Sequence, residues 1–249
     1  MSMFPPLPGT PRFADAVRAP VRPDCGFPIA DAIQLPKGRM FVPLDPPHPM
    51  NVFDIEYIAH SLSLQCRWMG GTSNLATGEP VLYSVAQHSV IVSDLVNIGR
   101  SKLVPGADWE KVASPAFYGL MHDASEAYLC DVPRPLKPHL GGYYDYEKAL
   151  MAAILAEFNV PTSPEIYDAV RAVDNAMIFL ERDKLIGVPP EPYSNENEHP
   201  GKTIDQVVPE FYCWSPREAK QRFLDKFAEC KVWDGHHVPL EYAKRGYGL

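Results

Sequence analysis

Four ionisable residues interrupt apolar stretches of this chain: His88, His122, Asp123 and Asp174. His88 lies within YSVAQHSVIVSDLV. His122-Asp123 separates Phe117-Tyr118-Gly119-Leu120-Met121 from Ala124, and Asp174 sits among Val170, Val173, Ala176 and Met177. Burying such groups without partners is costly, and one divalent cation would satisfy all four together. Two imidazoles and two carboxylates suit a borderline or hard ion: Zn, Mn, Co, Fe or Mg. Four protein ligands leave positions for water and substrate, as metal-assisted hydrolysis requires. The plainer alternative is a set of separate core residues. A lone buried histidine is more often hydrogen-bonded than metal-bound, and a His-Asp dipeptide is common by chance.

Neighbouring residues extend the pattern. Glu126 lies four residues after His122 and three after Asp123, on the same face if the segment is helical. A carboxylate there suits a general base, and its alternative is a surface glutamate. Asp131 follows the helix end and suits a loop-holding or ligand-orienting role. Arg134 and Lys137 then present two cations in a proline-stiffened segment, DVPRPLK. Arginine offers phosphate a forked donor set and lysine a point charge. A solvated loop is the alternative for both. Trp68, Tyr128 and Tyr143 are candidates for stacking on a base, with core packing as the alternative.

The elements that must position these residues read as helices. Ile55, Ile58, Ala59, Leu62 and Cys66 follow helical spacing. Further helices are predicted over about 84–99, 114–129 and 144–158. Ser163-Pro164-Glu165 opens another, running to about Leu185. Ser215-Pro216-Arg217-Glu218 has capping-box spacing and opens the last, to about Cys230. Residues 69–80, MGGTSNLATGEP, read as a loop or short hairpin. Twelve of the 27 prolines fall in residues 1–50. That stretch reads as an irregular arm wrapping the core through Phe4, Leu7, Phe13, Phe27, Ile29 and Phe41. The expected division is an arm at 1–50, a helical domain at 51–187 and an extension at 188–249. The fold class is all-α.

Composition sets outer limits. The chain has 249 residues, 46% of them hydrophobic and 22% charged, as expected of a globular protein. A net charge of -8 disfavours coating of long nucleic acid. No apolar run reaches the roughly 18–20 residues a bilayer span requires, and MSMFPPLPGTPRF lacks the marks of a secretory leader. Five cysteines without a CxxC fit reduced thiols and a cytoplasmic location.

The stretches YSVAQHSVIVSDLV, GLMHDASEAYLCDVPRPLK and VRAVDNAM together resemble the HD-domain metal-dependent phosphohydrolases, over about residues 53–187. Within that superfamily the chain is most similar to bacterial 5'-deoxynucleotidases and related phage and bacterial hydrolases. The resemblance implies an all-α helical bundle in which His88, His122, Asp123 and Asp174 hold one divalent metal. It implies that Glu126 works on the attacking water and that Asp131 helps the leaving group. Arg67-Trp68 resembles a pair that meets phosphate and sugar, and Lys137 keeps a lysine of the family pattern. Leu129 stands where the deoxynucleotidases often carry a polar residue. The implied activity is hydrolysis of nucleotide phosphate esters, with 5'-(deoxy)nucleotide monoesters favoured. Phosphodiesterase and nucleoside triphosphohydrolase activities use the same site. The implied partners are a small nucleotide and a second copy of the chain, with neither membrane nor long nucleic acid. A regulator that binds nucleotide without turnover, or an interaction protein acting through residues 1–50, are the non-enzymatic alternatives.

Overall fold

The computed structural model describes residues 32–103, 113–191 and 211–233, with side chains omitted at 97–103 and 232–233. Phe4, Leu7, Phe13, Phe27 and Ile29, expected to wrap the core, lie outside the described residues. The fold is all-α. Two compact units make up the chain, one formed by the residues before Phe53 with Val132–Ala153, the other by Phe53–Asp131 with the residues from Ile154 onward.

In the first unit, β1 (Ile33–Gln34) pairs antiparallel with β2 (Met40–Phe41). Lys37 and Gly38, at φ 63° and 72°, make the left-handed turn between them. Asn51 ties down the following loop: its Oδ1 accepts from the Val42 amide at 2.7 Å, and its Nδ2 donates to the carbonyls of Val42, Asp45 and Pro46. Phe41 is wholly buried.

The second unit carries His88, His122, Asp123 and Asp174 on a set of packed helices. Helix α1 (Ile55–Leu64) starts where the Asp54 carboxylate accepts from the Glu56 amide. Helix α2 (Val85–Leu103) packs against α1, α3 (Ala116–Met121), α6 (Pro164–Glu181) and α7 (Pro216–Trp233). Two shorter or shared elements complete the order, α4 (Glu126–Leu129) and α5 (Tyr143–Glu157). Ser163 caps α6 by accepting from the Ile166 amide, with Pro164 in the first turn. Ser215 caps α7 by accepting from the Glu218 amide. Ile58, Leu62, Leu120, Met121, Ile166, Met177 and Phe223 form the dry centre. No helix among the described residues is long and apolar enough to cross a membrane.

One expected helix is corrected. The stretch 114–129 is broken into α3 and α4 by a turn over residues 122–125. There the Ala124 amide donates to Met121 and the Glu126 amide to Asp123, bonds that reach back three residues instead of four. His122 therefore ends α3 and Asp123 stands in the turn, not on a continuous helical face.

Candidate metal centre

Three separate elements deliver the four residues: α2 carries His88, the turn after α3 carries His122 and Asp123, and α6 carries Asp174. Ser93 Oγ on α2 donates to the Ala116 carbonyl at 2.8 Å, pinning the start of α3. Gly119 lets α3 press close to α2, since a Cβ there would stand 3.2 Å from the Ser93 Cα.

The side chains converge. His88 Nε2 lies 3.2 Å from Asp174 Oδ1 and 3.8 Å from Asp123 Oδ2. His122 Nε2 lies 3.2 Å from Asp123 Oδ2 and 3.9 Å from Asp174 Oδ1. Ligand bonds of about 2.1 Å separate neighbouring donors by roughly 3.0–3.4 Å in octahedral or tetrahedral arrangements. The four His–Asp separations lie at and slightly above that range, so these donors could share one divalent ion. His88, His122 and Asp123 offer ligand atoms all within 4.8 Å of one another.

Both imidazoles are oriented for this role. His122 Nδ1 donates to the Gly119 carbonyl at 2.7 Å, and His88 Nδ1 donates to Glu181 Oε1 at 2.6 Å. A carbonyl and a carboxylate can only accept, so each Nδ1 carries a hydrogen, and Nε2 is the nitrogen each ring turns toward the aspartates. Among the described residues, neither buried Nε2 makes a well-aimed hydrogen bond, although each lies 3.2 Å from an aspartate oxygen. Poorly satisfied polar atoms at such depth are rare, and two imidazole nitrogens beside carboxylates are a donor set that could hold a metal ion.

The charge distribution agrees. Burial would push the Asp123 carboxyl up, but His122, His88 and Arg67 hold it well below the usual carboxylate range. Asp174 is likewise held down against burial by the bond and charge of His88 and by His122. Burial and Arg67 oppose a proton on His88, yet Glu181 and Asp174 prevail and push its pKa up to about 9. The field at this point favours added positive charge.

No protein-family model matches the chain. An uncharacterized protein of Rhodobacter capsulatus, RCAP_rcc00048, is 36% identical over 153 residues, covering 60% of this chain and 70% of that protein. The chain belongs to the same family as that protein. YfdR of Escherichia coli K12, also uncharacterized, is 37% identical over 131 residues, covering 53% of this chain and 60% of YfdR. The chain thus spans less than two thirds of YfdR's length.

Around these four residues, the other expected residues have diverse placements. Arg67 is half-buried; its Nε donates to Glu181 Oε2 at 3.2 Å and its Nη1 lies 3.5 Å from Asp123 Oδ2. Trp68 Nε1 donates to the same Glu181 oxygen at 2.9 Å. The Arg-Trp pair that the family resemblance assigns to substrate is therefore engaged with Glu181. Trp68 and Met69 are both left-handed, at φ 55° and 54°, a conformation costing non-glycine residues on the order of 1 kcal/mol each. That turn is what lets consecutive side chains, Arg67 and Trp68, reach one carboxylate. Glu126 is 4% exposed at the start of α4. Asp131 is half-buried, and its amide donates to Gln65 Oε1 at 3.1 Å. Tyr128 packs against Tyr57 and Phe53. Arg134, Lys137 and Tyr143 belong to the other unit. There Lys137 pairs with Glu147 at 2.6 Å and lies over the Tyr143 ring.

Two contributors escape a reading of the sequence. Glu181 is fully buried and accepts from Arg67, Trp68, Tyr83 and His88. Its signal is a carboxylate seven residues after Asp174, two helical turns on, directly after Phe179-Leu180. Gln65 donates to the Glu126 carbonyl at 2.8 Å while accepting from the Asp131 amide. An uncharged residue just past a helix end offers no comparable signal.

Proposed function

We propose that the protein is a divalent-metal-dependent phosphohydrolase acting on nucleotides, with 5'-(deoxy)nucleotide monoesters as favoured substrates. One observation carries the metal dependence: two histidine Nε2 atoms, each 3.2–3.9 Å from an oxygen of both Asp123 and Asp174. The substrate class rests on the likeness of the H…HD…D pattern and its neighbours to the HD-domain phosphohydrolases. His88, His122, Asp123 and Asp174 would hold the ion. Bound there, a divalent ion supplies Lewis-acid activation of water and positive charge for phosphoryl oxygens.

The chain's own groups account for the rest. Each Nδ1–H bond keeps a histidine ring fixed, so the Nε2 atoms stay aimed without further ordering. Arg67 adds a permanent positive charge beside Asp123, where phosphoryl oxygens gain charge during displacement. Glu126, buried on the helix that follows the His122-Asp123 turn, is the group assigned to take the proton of the attacking water. Gln65 ties the backbone of Glu126 to that of Asp131, so the proton acceptor and the residue assigned to the leaving oxygen move as one piece.

The test is metal analysis of the purified protein, followed by a product screen with added Mn, Co, Zn, Fe and Mg. Substrates are deoxy- and ribonucleoside mono- and triphosphates and a generic phosphodiester. Release of inorganic phosphate from monophosphates is expected. Pyrophosphate or triphosphate release, or cleavage of the diester alone, would replace the substrate assignment. No bound metal and no turnover with any of the five ions would overturn the proposal.

A further inference from the structure

Glu181 is an expensive residue to keep where it is. Its side chain is wholly buried, and an ionised carboxylate at such depth costs several kcal/mol unless well compensated. Compensation is complete: Oε1 accepts from Tyr83 Oη at 3.0 Å and His88 Nδ1 at 2.6 Å, Oε2 from Trp68 Nε1 at 2.9 Å and Arg67 Nε at 3.2 Å. Four donors close on its two oxygens, an arrangement that suits an ionised carboxylate, which accepts at both. Filling space would not require a charge, since a glutamine or an apolar side chain has similar volume.

What the charge does is visible in its contacts. The 2.6 Å bond to His88 is at the short end for a charge-assisted hydrogen bond. It fixes His88 as the Nδ1–H form and turns Nε2 toward Asp123 and Asp174. Through Arg67, which spans from Glu181 to Asp123, the same carboxylate also braces a second ligand on another element. Glu181 lies about 10.5 Å along α6 from Asp174, seven residues at 1.5 Å rise, so one helix supplies both a direct ligand and the support of a ligand on its neighbour.

We infer that Glu181 is the positioning residue of the metal centre, setting the tautomer and ring orientation of His88 and, through Arg67, the place of Asp123. This rests on the reading of the site as a metal centre. It gives Trp68 a structural task, donation to Glu181, and gives Arg67 the same task beside its charge toward phosphoryl oxygens.

The experiment compares the full-length wild-type chain with Glu181→Gln by calorimetric titration with Co²⁺ and by Co²⁺ visible absorption. Glutamine keeps shape and one acceptor but turns an NH₂ group toward donors that need an acceptor. Affinity should fall 10–100-fold, as it does when the outer partner of a ligand histidine is lost, with a changed absorption spectrum. Equal affinity within twofold and an unchanged spectrum would overturn the inference while leaving the metal centre intact. Absence of Co²⁺ binding by the wild type would instead overturn the metal centre itself. Should Glu181→Gln fail to fold, ¹⁵N imidazole NMR of the Zn²⁺-loaded wild type decides. His88 should carry its hydrogen on Nδ1 and bind through Nε2; the opposite tautomer would refute the role.

Discussion

Substituting Gly119 by alanine tests whether helix spacing controls the metal centre. A Cβ at this position would stand 3.2 Å from the Ser93 Cα, 3.3 Å from Val96 Cγ1 and 3.4 Å from the Ser93 nitrogen. Two of those atoms are α2 backbone and have no rotamer to escape into. Carbon atoms prefer about 3.5–4.0 Å, so α3 must retreat from α2 by roughly 0.3–0.5 Å. A metal site tolerates about 0.2 Å in its ligand distances. His88 rides on α2 while His122 and Asp123 ride on the end of α3, and the Gly119 carbonyl itself orients His122. The retreat therefore widens the 3.8 Å separation of His88 Nε2 from Asp123 Oδ2. Alanine gains up to about 1 kcal/mol in helix propensity, against about 1–3 kcal/mol for overpacking. The net loss of stability is about 0–2 kcal/mol, a fall of up to roughly 8 °C in Tm. Affinity for Mn²⁺ or Co²⁺ should fall by about tenfold, equivalent to ~1.4 kcal/mol. Titration calorimetry and thermal unfolding of the metal-free protein measure the two effects separately. Wild-type affinity in Gly119→Ala, at whatever Tm, would refute the claim that the α2–α3 approach sets the site.

Three further outcomes are expected. Metal at 100 times its Kd should stabilise the native state by about 2.7 kcal/mol, raising Tm by roughly 5–10 °C at 2–4 °C per kcal/mol; Asp123→Ala should remain folded yet lose this rise together with turnover, as differential scanning calorimetry and a phosphate assay would record. Gln65→Leu removes the clamp between the Glu126 carbonyl and the Asp131 amide, so kcat should fall about tenfold or more while metal affinity stays within threefold; steady-state kinetics beside calorimetry separate the two, and a loss of metal instead would refute the division of labour. Lys226 pairs with Asp94 at 2.6 Å and Glu229 at 2.7 Å, and these outweigh burial to raise its pKa above the ordinary 10.5. A raised lysine pKa means stabilisation that is full below pH 10.5, begins to decline above it and is lost only as pH rises through the higher folded-state value. The deficit of Lys226→Met in urea denaturation, at most about 1 kcal/mol for so exposed a network, should hold at pH 8 and shrink at pH 11.

Some of the architecture is legible residue by residue. Ser163 and Ser215 announce the starts of α6 and α7, because capping is a bond between residues two or three apart. The spacing of Ile58, Ala59 and Leu62 marks the buried face of α1 for the same short-range reason. The break after Met121 is not legible. The run from Ala116 to Leu129 holds no proline, and its one glycine, Gly119, lies before the break, so what ends α3 is a set of three-residue-back bonds within a packed environment. Glu181 and Gln65 were missed for a related reason: their partners lie 61–114 residues away in sequence.

Residue type and local periodicity settled on their own that this is an all-α chain and that two histidines and two aspartates occupy apolar surroundings. Both follow from interactions reaching no further than a helical turn. The meeting of those four side chains, the Nδ1–H form of each histidine and the shared carboxylate of Glu181 depend on how closely α2, α3 and α6 pack. That closeness is fixed by contacts such as Gly119 against Ser93, between residues far apart along the chain. Only the assembled tertiary structure could decide them.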